Sequence, residues 1–250
     1  MEFKQASKPI SHVSHSNVGV LVIHGITSVP GSMEYVCRRY IEQGYNVECP
    51  LLPGHGTVWQ DMQNVFWWDW VFAMEQALDS LSRRCSKVFV CGLSLGGGIG
   101  AYLATYHPEL SGLLLYNHLA QVEMTLLARL APIARLIVRS VPAIGGDLKD
   151  SGANEPAYAR LSAQGGWQSI VFSRELQKKL SNITVPTIIF KSREDHVVPL
   201  ESATLTFDNI ASKDKELVWL ENSYHVVTMD FDKEIMMDRS LAFVKRLVGV

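Results

Sequence analysis

The stretch Lys87-Val-Phe-Val-Cys-Gly-Leu-Ser-Leu-Gly-Gly-Gly98 decides the fold that the sequence predicts. Residues 87–92 form an apolar run rich in β-branched residues, which is typical of a strand buried on both faces. The three glycines that follow open a helix, where glycine is costly unless two backbones approach closely. Between them, Ser94 stands in the pattern G-x-S-x-G, typical of a strained strand-to-helix turn that lifts a serine above a sheet. We therefore predict that Ser94 is a nucleophile at the end of a central strand.

Strands and helices alternate on both sides of this stretch. Such alternation predicts a mostly parallel sheet with helices on both faces and a ligand site beyond the carboxyl ends of the strands. A one-sided apolar stripe marks the terminal helix at Met237, Leu241, Val244 and Val248. The predicted strands span residues 19–24, 44–49, 87–92, 113–117, 186–191 and 215–220, and the other predicted helices span 33–43, 66–81 and 96–106.

The alternation stops between residues 118 and 183, where helical and loop sequence holds no convincing strand. We expect this segment to be a cap inserted over the strand ends of one domain spanning residues 1–250. Its stretch 124–138 is apolar on most sides, apart from Arg129 and Arg135, and we expect Pro132 to kink or divide a helix there. This stretch either belongs to the core of the cap or faces lipid.

Composition excludes several classes of function. The chain has 250 residues, a formal charge of −2, 47% hydrophobic and 19% charged residues, so it has no basic excess with which to bind nucleic acid.

Four cysteines without metal-ligand spacing are expected to be free thiols of a reducing compartment. Residues 1–19 lack the apolar run of a signal peptide, so we expect a cytoplasmic location. No metal or organic cofactor is expected.

A serine nucleophile needs a base to take its proton and a third group to hold that base. In this kind of fold the chain order is serine, acid, histidine. Asp195 follows the strand 186–191 and is our candidate acid, with Glu194 as the alternative one position earlier. His225 lies beyond the last predicted strand and is our candidate base, although a loop histidine without a catalytic role is the alternative interpretation. We expect His196 only to hold its loop.

An acyl-transfer intermediate carries an oxyanion, which backbone N–H groups stabilise. The residue after the nucleophile, Leu95, is expected to supply one donor, and Ile26 in the loop after the first predicted strand is expected to supply the other. We interpret His24 as a structural residue hydrogen-bonded within this loop. His55, in a glycine-rich turn, is interpreted as stabilising that turn.

Taken together, these residues resemble the bacterial monoacylglycerol lipases of the α/β-hydrolase fold and the neighbouring small bacterial carboxylesterases. The likeness covers nearly the whole chain and departs from the family pattern at Ile26, where an aromatic residue is common, and at Leu95, where methionine is common. Its most specific pieces are His24-Gly25 with Thr27 and Pro30, Pro53-Gly-His-Gly-Thr57, Gly92-Leu-Ser-Leu-Gly-Gly97, Glu194-Asp-His-Val-Val-Pro199 and Asn222-Ser-Tyr-His-Val226 with Thr228 and Asp230.

The resemblance implies that Ser94, Asp195 and His225 form the catalytic triad. It also implies that the cap at residues 118–183 covers an acyl tunnel and that Ile144 and Glu155 line the pocket for the glycerol end. We expect an ester hydrolase that cleaves monoacylglycerol through an acyl-enzyme, with a cap that contacts a membrane or micelle surface transiently.

Two alternatives stay open. One is a carboxylesterase of broad specificity for short and medium acyl chains, and the other is a ligand-binding relative without catalysis. The sequence does not predict the oligomeric state.

Overall fold

A sheet of seven strands, six of them parallel, forms the centre of the structure. The protein was analysed as a computed structural model in which residues 3–123, 126–143 and 145–249 are described. The strands in chain order are β1 (Ile10–His12), β2 (Val18–Ile23), β3 (Asn46–Cys49), β4 (Lys87–Leu93), β5 (Gly112–Tyr116), β6 (Ser140–Pro142), β7 (Arg160–Ser162), β8 (Thr187–Ser192) and β9 (Lys215–Leu220). The sheet order is β1-β3-β2-β4-β5-β8-β9, and β1 alone runs antiparallel to its neighbour.

Helices cover both faces of this sheet, as the sequence predicts. In β2, Val20 and Val22 belong to one apolar core while Leu21 and Ile23 belong to the other, and all four side chains are inaccessible to solvent. The strand is therefore buried on both sides, which explains its unbroken apolar sequence. The helices are α1 (Phe3–Ala6), α2 (Glu34–Ile41), α3 (Trp67–Ser82), α4 (Leu95–Ala104), α5 (Leu126–Ala134), α6 (Ala163–Gln177), α7 (Glu201–Asn209) and α8 (Lys233–Val248).

The strand order reverses direction beside β2, and this positions the site. The chain passes from β2 to β3 on one side and then crosses to β4 on the other side. The loops that follow β2 and β4 therefore leave the sheet in different directions. A crevice opens between such loops at the carboxyl ends of the strands.

The connection from β5 to β8 differs in detail from the sequence prediction. The expectation of no strand between residues 118 and 183 is wrong, because β6 and β7 form an antiparallel pair in which Val141 lies opposite Leu161. Strands of three residues are too short to give a periodic signal. Helix α5 continues through Pro132 and ends at Ala134, so the proline lies in its last turn and does not divide it.

Two further findings concern the cysteines and the helices. All four cysteines are buried free thiols, as the sequence predicts. In the described part of the chain, no helix is both long and apolar enough to span a membrane.

Candidate active site

Ser94 occupies a strained turn between β4 and α4. Its backbone has φ 57° and ψ −122°, a conformation that costs a non-glycine residue on the order of 1–3 kcal/mol. Neighbouring backbone holds it there: the Ser94 N–H donates to the Tyr116 carbonyl at 3.0 Å, and the Ser94 carbonyl accepts from Leu119 N–H at 2.9 Å and Gly98 N–H at 3.0 Å. The strain is thus imposed by the surrounding fold.

The glycines around Ser94 are required by space. A Cβ on Gly92 would lie 2.4 Å from the Gly96 carbonyl carbon, and a Cβ on Gly96 would lie 2.2 Å from the Ile23 carbonyl oxygen. A Cβ on Gly97 would lie 2.6 Å from the Cβ of His118. The G-x-S-x-G-G sequence therefore allows β4, α4 and the end of β2 to approach closely.

His225 and Asp195 are paired beside the elbow. The Nδ1 atom of His225 lies 3.0 Å from each carboxylate oxygen of Asp195, and both side chains are buried. Because a carboxylate only accepts, Nδ1 carries the proton, which leaves Nε2 as an acceptor. His225 and Ser94 line the same small cavity of about 20 Å³, together with Glu155. The structure thus brings together the serine, histidine and aspartate that the sequence singled out.

Asp195 is held as a carboxylate by several donors. Its Oδ1 accepts from the N–H groups of Val197 at 2.9 Å and Val198 at 3.0 Å. Burial by itself raises the pKa of Asp195, but the attraction of His225 and Lys191 outweighs it, so the pKa lies well below the ordinary value. Asp195 therefore stays ionised at neutral pH.

The alternative acid, Glu194, faces another way. Its carboxylate forms an ion pair with the Lys149 ammonium at 2.6 Å, and its side chain is 48% exposed. His196 is also turned outward, and its Nδ1 donates to the Asp147 carboxylate at 2.9 Å. The hydrogen bond to Asp147 is the largest cause that raises the pKa of His196, and the negative charges of Asp147, Asp195 and Glu194 add to it.

The sequence analysis did not assign the residues that position His225, although Asp230 belongs to the family pattern quoted there. Asn117, at φ 42°, donates from Nδ2 to the His225 carbonyl at 2.8 Å and to the Ser192 hydroxyl at 2.9 Å. Asp147 accepts from the His225 N–H at 3.1 Å. Asp230 accepts from the N–H groups of Tyr224 and Lys149 at 2.9 and 2.8 Å. A positive φ at Asn117 and a carboxylate that binds remote backbone leave no local sequence signal.

The two residues predicted to stabilise an oxyanion lie next to the elbow. Leu95 is the first residue of α4, where N–H groups have no acceptor within the helix and the helix dipole is positive. Ile26 lines both the small cavity and a larger one, and its carbonyl lies 2.7 Å from Nε2 of His55. Their role as donors remains a prediction.

His24 and His55 are structural, as the sequence suggested. Nδ1 of His24 lies 2.9 Å from the Gly25 carbonyl, and its Nε2 accepts from Leu52 N–H at 3.1 Å. Burial, reinforced by the neighbouring His55, lowers the pKa of His24 to about 3. His24 is therefore neutral and joins the loops after β2 and β3.

A larger apolar cavity of about 300 Å³ opens from Ser94. The connection between β5 and β8 contributes most of its wall. The apolar lining includes Ile26, Leu119, Val138, Val141, Leu161, Trp167, Ile170 and Val198.

The described residues include no group of three or more histidine, cysteine, aspartate or glutamate side chains that could hold a metal ion.

The two predicted residues of the alcohol pocket have different outcomes. Ile144 lies outside the described residues. Glu155 is buried, lines the small cavity with Ser94 and His225, and accepts from the Gly146 N–H through Oε2 at 2.7 Å. Its position beside the elbow agrees with the expectation, and its role stays a prediction.

The sheet, the elbow and the His–Asp pair define a hydrolase of the α/β-hydrolase fold. The chain belongs to the family described as "Serine aminopeptidase, S33", whose model matches residues 14–232. It is 38% identical to a thermostable monoacylglycerol lipase of a Bacillus species, over 95% of this chain and 94% of that protein. It is 24% identical to a carboxylesterase of Bacillus subtilis, over 91% of this chain and 92% of that protein.

A solved structure reported with the metagenome-derived lipolytic enzymes LipS and LipT superposes with a TM-score of 0.93 at 36% identity, covering 96% of this chain and 98% of that one. The predicted fold and family resemblance are confirmed, and the chain is a carboxylic ester hydrolase.

Proposed function

We propose that the chain hydrolyses monoacylglycerol to glycerol and fatty acid, with Ser94 as nucleophile, His225 as general base and Asp195 as the acid that orients the histidine. One observation carries this proposal. The strained Ser94 lines the small cavity together with His225, whose Nδ1 is held by the buried Asp195 carboxylate. Ser94 also lines the larger apolar cavity of about 300 Å³. The name of the 38% identical relative supports the choice of substrate.

The chemistry follows from these positions. Nε2 of His225 takes the Ser94 proton as Oγ attacks the ester carbonyl, and the N–H groups of Ile26 and Leu95 bind the oxyanion. The imidazolium then gives its proton to the departing glycerol oxygen, which leaves an acyl group on Ser94. A water molecule, deprotonated by His225, attacks this acyl-enzyme, and His225 returns the proton to Ser94 Oγ as the fatty acid leaves.

The cavity suits an acyl chain, and residues 118–183 serve as its cap within one domain of residues 1–250. Side chains from β6, β7 and α6 complete the wall at Val141, Leu161 and Ile170. A hydrocarbon chain placed there leaves water and contacts a mostly apolar wall. Glu155 lies on the side of the small cavity, where a glycerol hydroxyl would meet a carboxylate oxygen.

A panel of substrates tests the choice of substrate. We expect kcat/KM to be highest for monoacylglycerol, lower for diacyl- and triacylglycerol, and lowest for an amino-acid arylamide. An enzyme that prefers short aryl esters over every glycerol ester would instead be a broad carboxylesterase, the activity named for the 24% identical relative. Turnover of the arylamide as the best substrate would contradict the proposal.

Replacing Glu155 tests the alcohol end of the site. Glu155→Ala should lower kcat/KM for a monoacylglycerol about tenfold or more relative to an aryl ester of the same acyl chain, because a hydrogen bond to a charged group contributes about 1.5–3 kcal/mol. Glu155→Gln is the matched control, since its amide oxygen can still accept from Gly146 and from a hydroxyl. An equal loss on both substrates in Glu155→Ala would mean that the residue only supports the Gly146 turn.

We also propose that the cap touches lipid surfaces transiently. The α5 end and the turn after it expose five large apolar side chains in nine residues, and Val138 among them also lines the acyl cavity. Monomeric proteins rarely expose such a continuous apolar patch without a partner. These side chains are Leu130, Ile133, Leu136, Ile137 and Val138, with Leu136 75% and Ile137 81% exposed.

A double replacement of the most exposed pair tests this contact. Leu136→Ser with Ile137→Ser should lower the rate on monoacylglycerol presented in micelles several-fold and leave the rate on a water-soluble aryl butyrate unchanged. Ile235→Ser, at a 55% exposed position on α8, is the control and should change neither rate. Equal behaviour of the double variant and the control would refute the contact.

The location proposed is the cytoplasm. Four buried free thiols suit a reducing compartment.

A further inference from the structure

Lys191 is a buried lysine on β8 that the proposed mechanism does not use. Its side chain is 1% exposed, although lysine is almost never buried without a partner. Its ammonium donates to Oδ2 of Asp195 at 2.5 Å and to the Val198 carbonyl at 2.7 Å. The lysine therefore contacts the carboxylate that holds His225 and the loop that follows that carboxylate.

The two carboxylate oxygens of Asp195 have different partners. Oδ1 accepts from two backbone N–H groups, at Val197 and Val198, and Oδ2 accepts from the Lys191 ammonium. Both oxygens lie 3.0 Å from Nδ1 of His225. Lys191 thus fixes the carboxylate from the side that the backbone leaves free.

We propose that Lys191 is a positioning residue of the active site, which clamps Asp195 against His225 and neutralises its charge, so that activity extends to lower pH. This inference rests on the proposed triad. It goes beyond that triad by adding a buried cation to it.

The charged groups around the pair come from several elements. Asp147 lies against the backbone of His225, Glu155 lines the small cavity with it, and Glu201 of α7 interacts electrostatically with Lys191. His118, after β5, is fully buried, and burial followed by repulsion from Lys191 lowers its pKa to about 3, so it stays neutral. Among the described side chains, Lys191 is the cation that contacts the Asp195 carboxylate.

The sign of the pH effect follows from this charge. A carboxylate alone favours the imidazolium form of His225, whereas the Lys191 ammonium disfavours it. Replacing the ammonium by a neutral side chain is therefore expected to move the acid limb of kcat/KM to higher pH. Burial lowers the pKa of Lys191 below its ordinary value, and the ion pair with Asp195 opposes this shift.

The test compares pH profiles of kcat/KM for hydrolysis of an aryl butyrate, a readout that does not depend on the natural substrate. In Lys191→Met and Lys191→Gln the acid limb should move upward by on the order of one pH unit, because a unit charge a few ångströms away is removed from a medium of low effective dielectric. Lys149→Met is the matched control. It removes a lysine whose partner is Glu194 and should leave the limb in place.

An unmoved acid limb in a folded Lys191 variant would overturn the proposal. If neither variant folds, Lys191→Arg decides, because it keeps the positive charge and should leave the acid limb of kcat/KM at its wild-type pH. An acid limb that moves upward in Lys191→Arg contradicts the proposal. An incorrect assignment of the catalytic triad would give a different result, because Ser94→Ala would then keep its activity.

Discussion

A Ser94→Ala variant is expected to lose ester hydrolysis by about five to six orders of magnitude and to keep its fold. The hydroxyl supplies the attacking oxygen, and without it no acyl-enzyme forms. The strain of the elbow is unchanged, because alanine keeps the Cβ and the backbone contacts of Ser94 with Tyr116, Gly98 and Leu119. Initial rates on a monoacylglycerol and an aryl butyrate, with thermal unfolding of both proteins, measure the two parts of this prediction.

Ser173→Ala is the matched control for that experiment. Ser173 is also a buried serine, but its hydroxyl donates to the Ile170 carbonyl within α6 at 3.0 Å. Its replacement should leave turnover close to wild type. Retention of activity in Ser94→Ala would show that another group carries the reaction.

Replacement of Asp195 by Asn is expected to lower kcat by roughly four orders of magnitude. The amide cannot hold Nδ1 of His225 as a donor in the same way, so the histidine is left in the wrong tautomer to accept a proton at Nε2. Glu194→Gln is the adjacent control, because Glu194 pairs with Lys149 near the surface and does not contact His225. It should change kcat only slightly.

Comparison of kcat between Asp195→Asn and Glu194→Gln identifies the residue that acts as the acid of the triad. A large loss in Glu194→Gln with a small loss in Asp195→Asn would move the role to Glu194. Thermal unfolding of both variants is needed as well, since Asp195→Asn also leaves the buried ammonium of Lys191 without its partner carboxylate.

The central strands could be predicted from the sequence because they are buried on both faces. The continuous apolar runs of β2, β4 and β5 and the close approaches at Gly92 and Gly96 require particular residue types, so a pattern is visible. Ser94, Asp195 and His225 each follow a strand end, which is why chain order was enough to bring them together.

The features that the sequence analysis missed depend on contacts between residues that no local sequence pattern encodes. Strands β1, β6 and β7 have three residues each, which is too few for an alternation to be recognised. Lys191 belongs to the predicted strand 186–191, but a lysine at a strand end is ordinarily interpreted as solvated until its partner is known. That partner is four positions away, and a turn brings it back to the lysine.

Covalent labelling tests the central claim most directly. A fluorophosphonate ester should form one phosphonyl adduct per chain, located by peptide mass spectrometry on Ser94, and hydrolysis of monoacylglycerol should fall in proportion to the labelled fraction. Ser94→Ala should take up no label under the same conditions. A stoichiometric adduct on a different residue, or full monoacylglycerol hydrolysis by completely labelled protein, would contradict the assignment of Ser94 as the nucleophile.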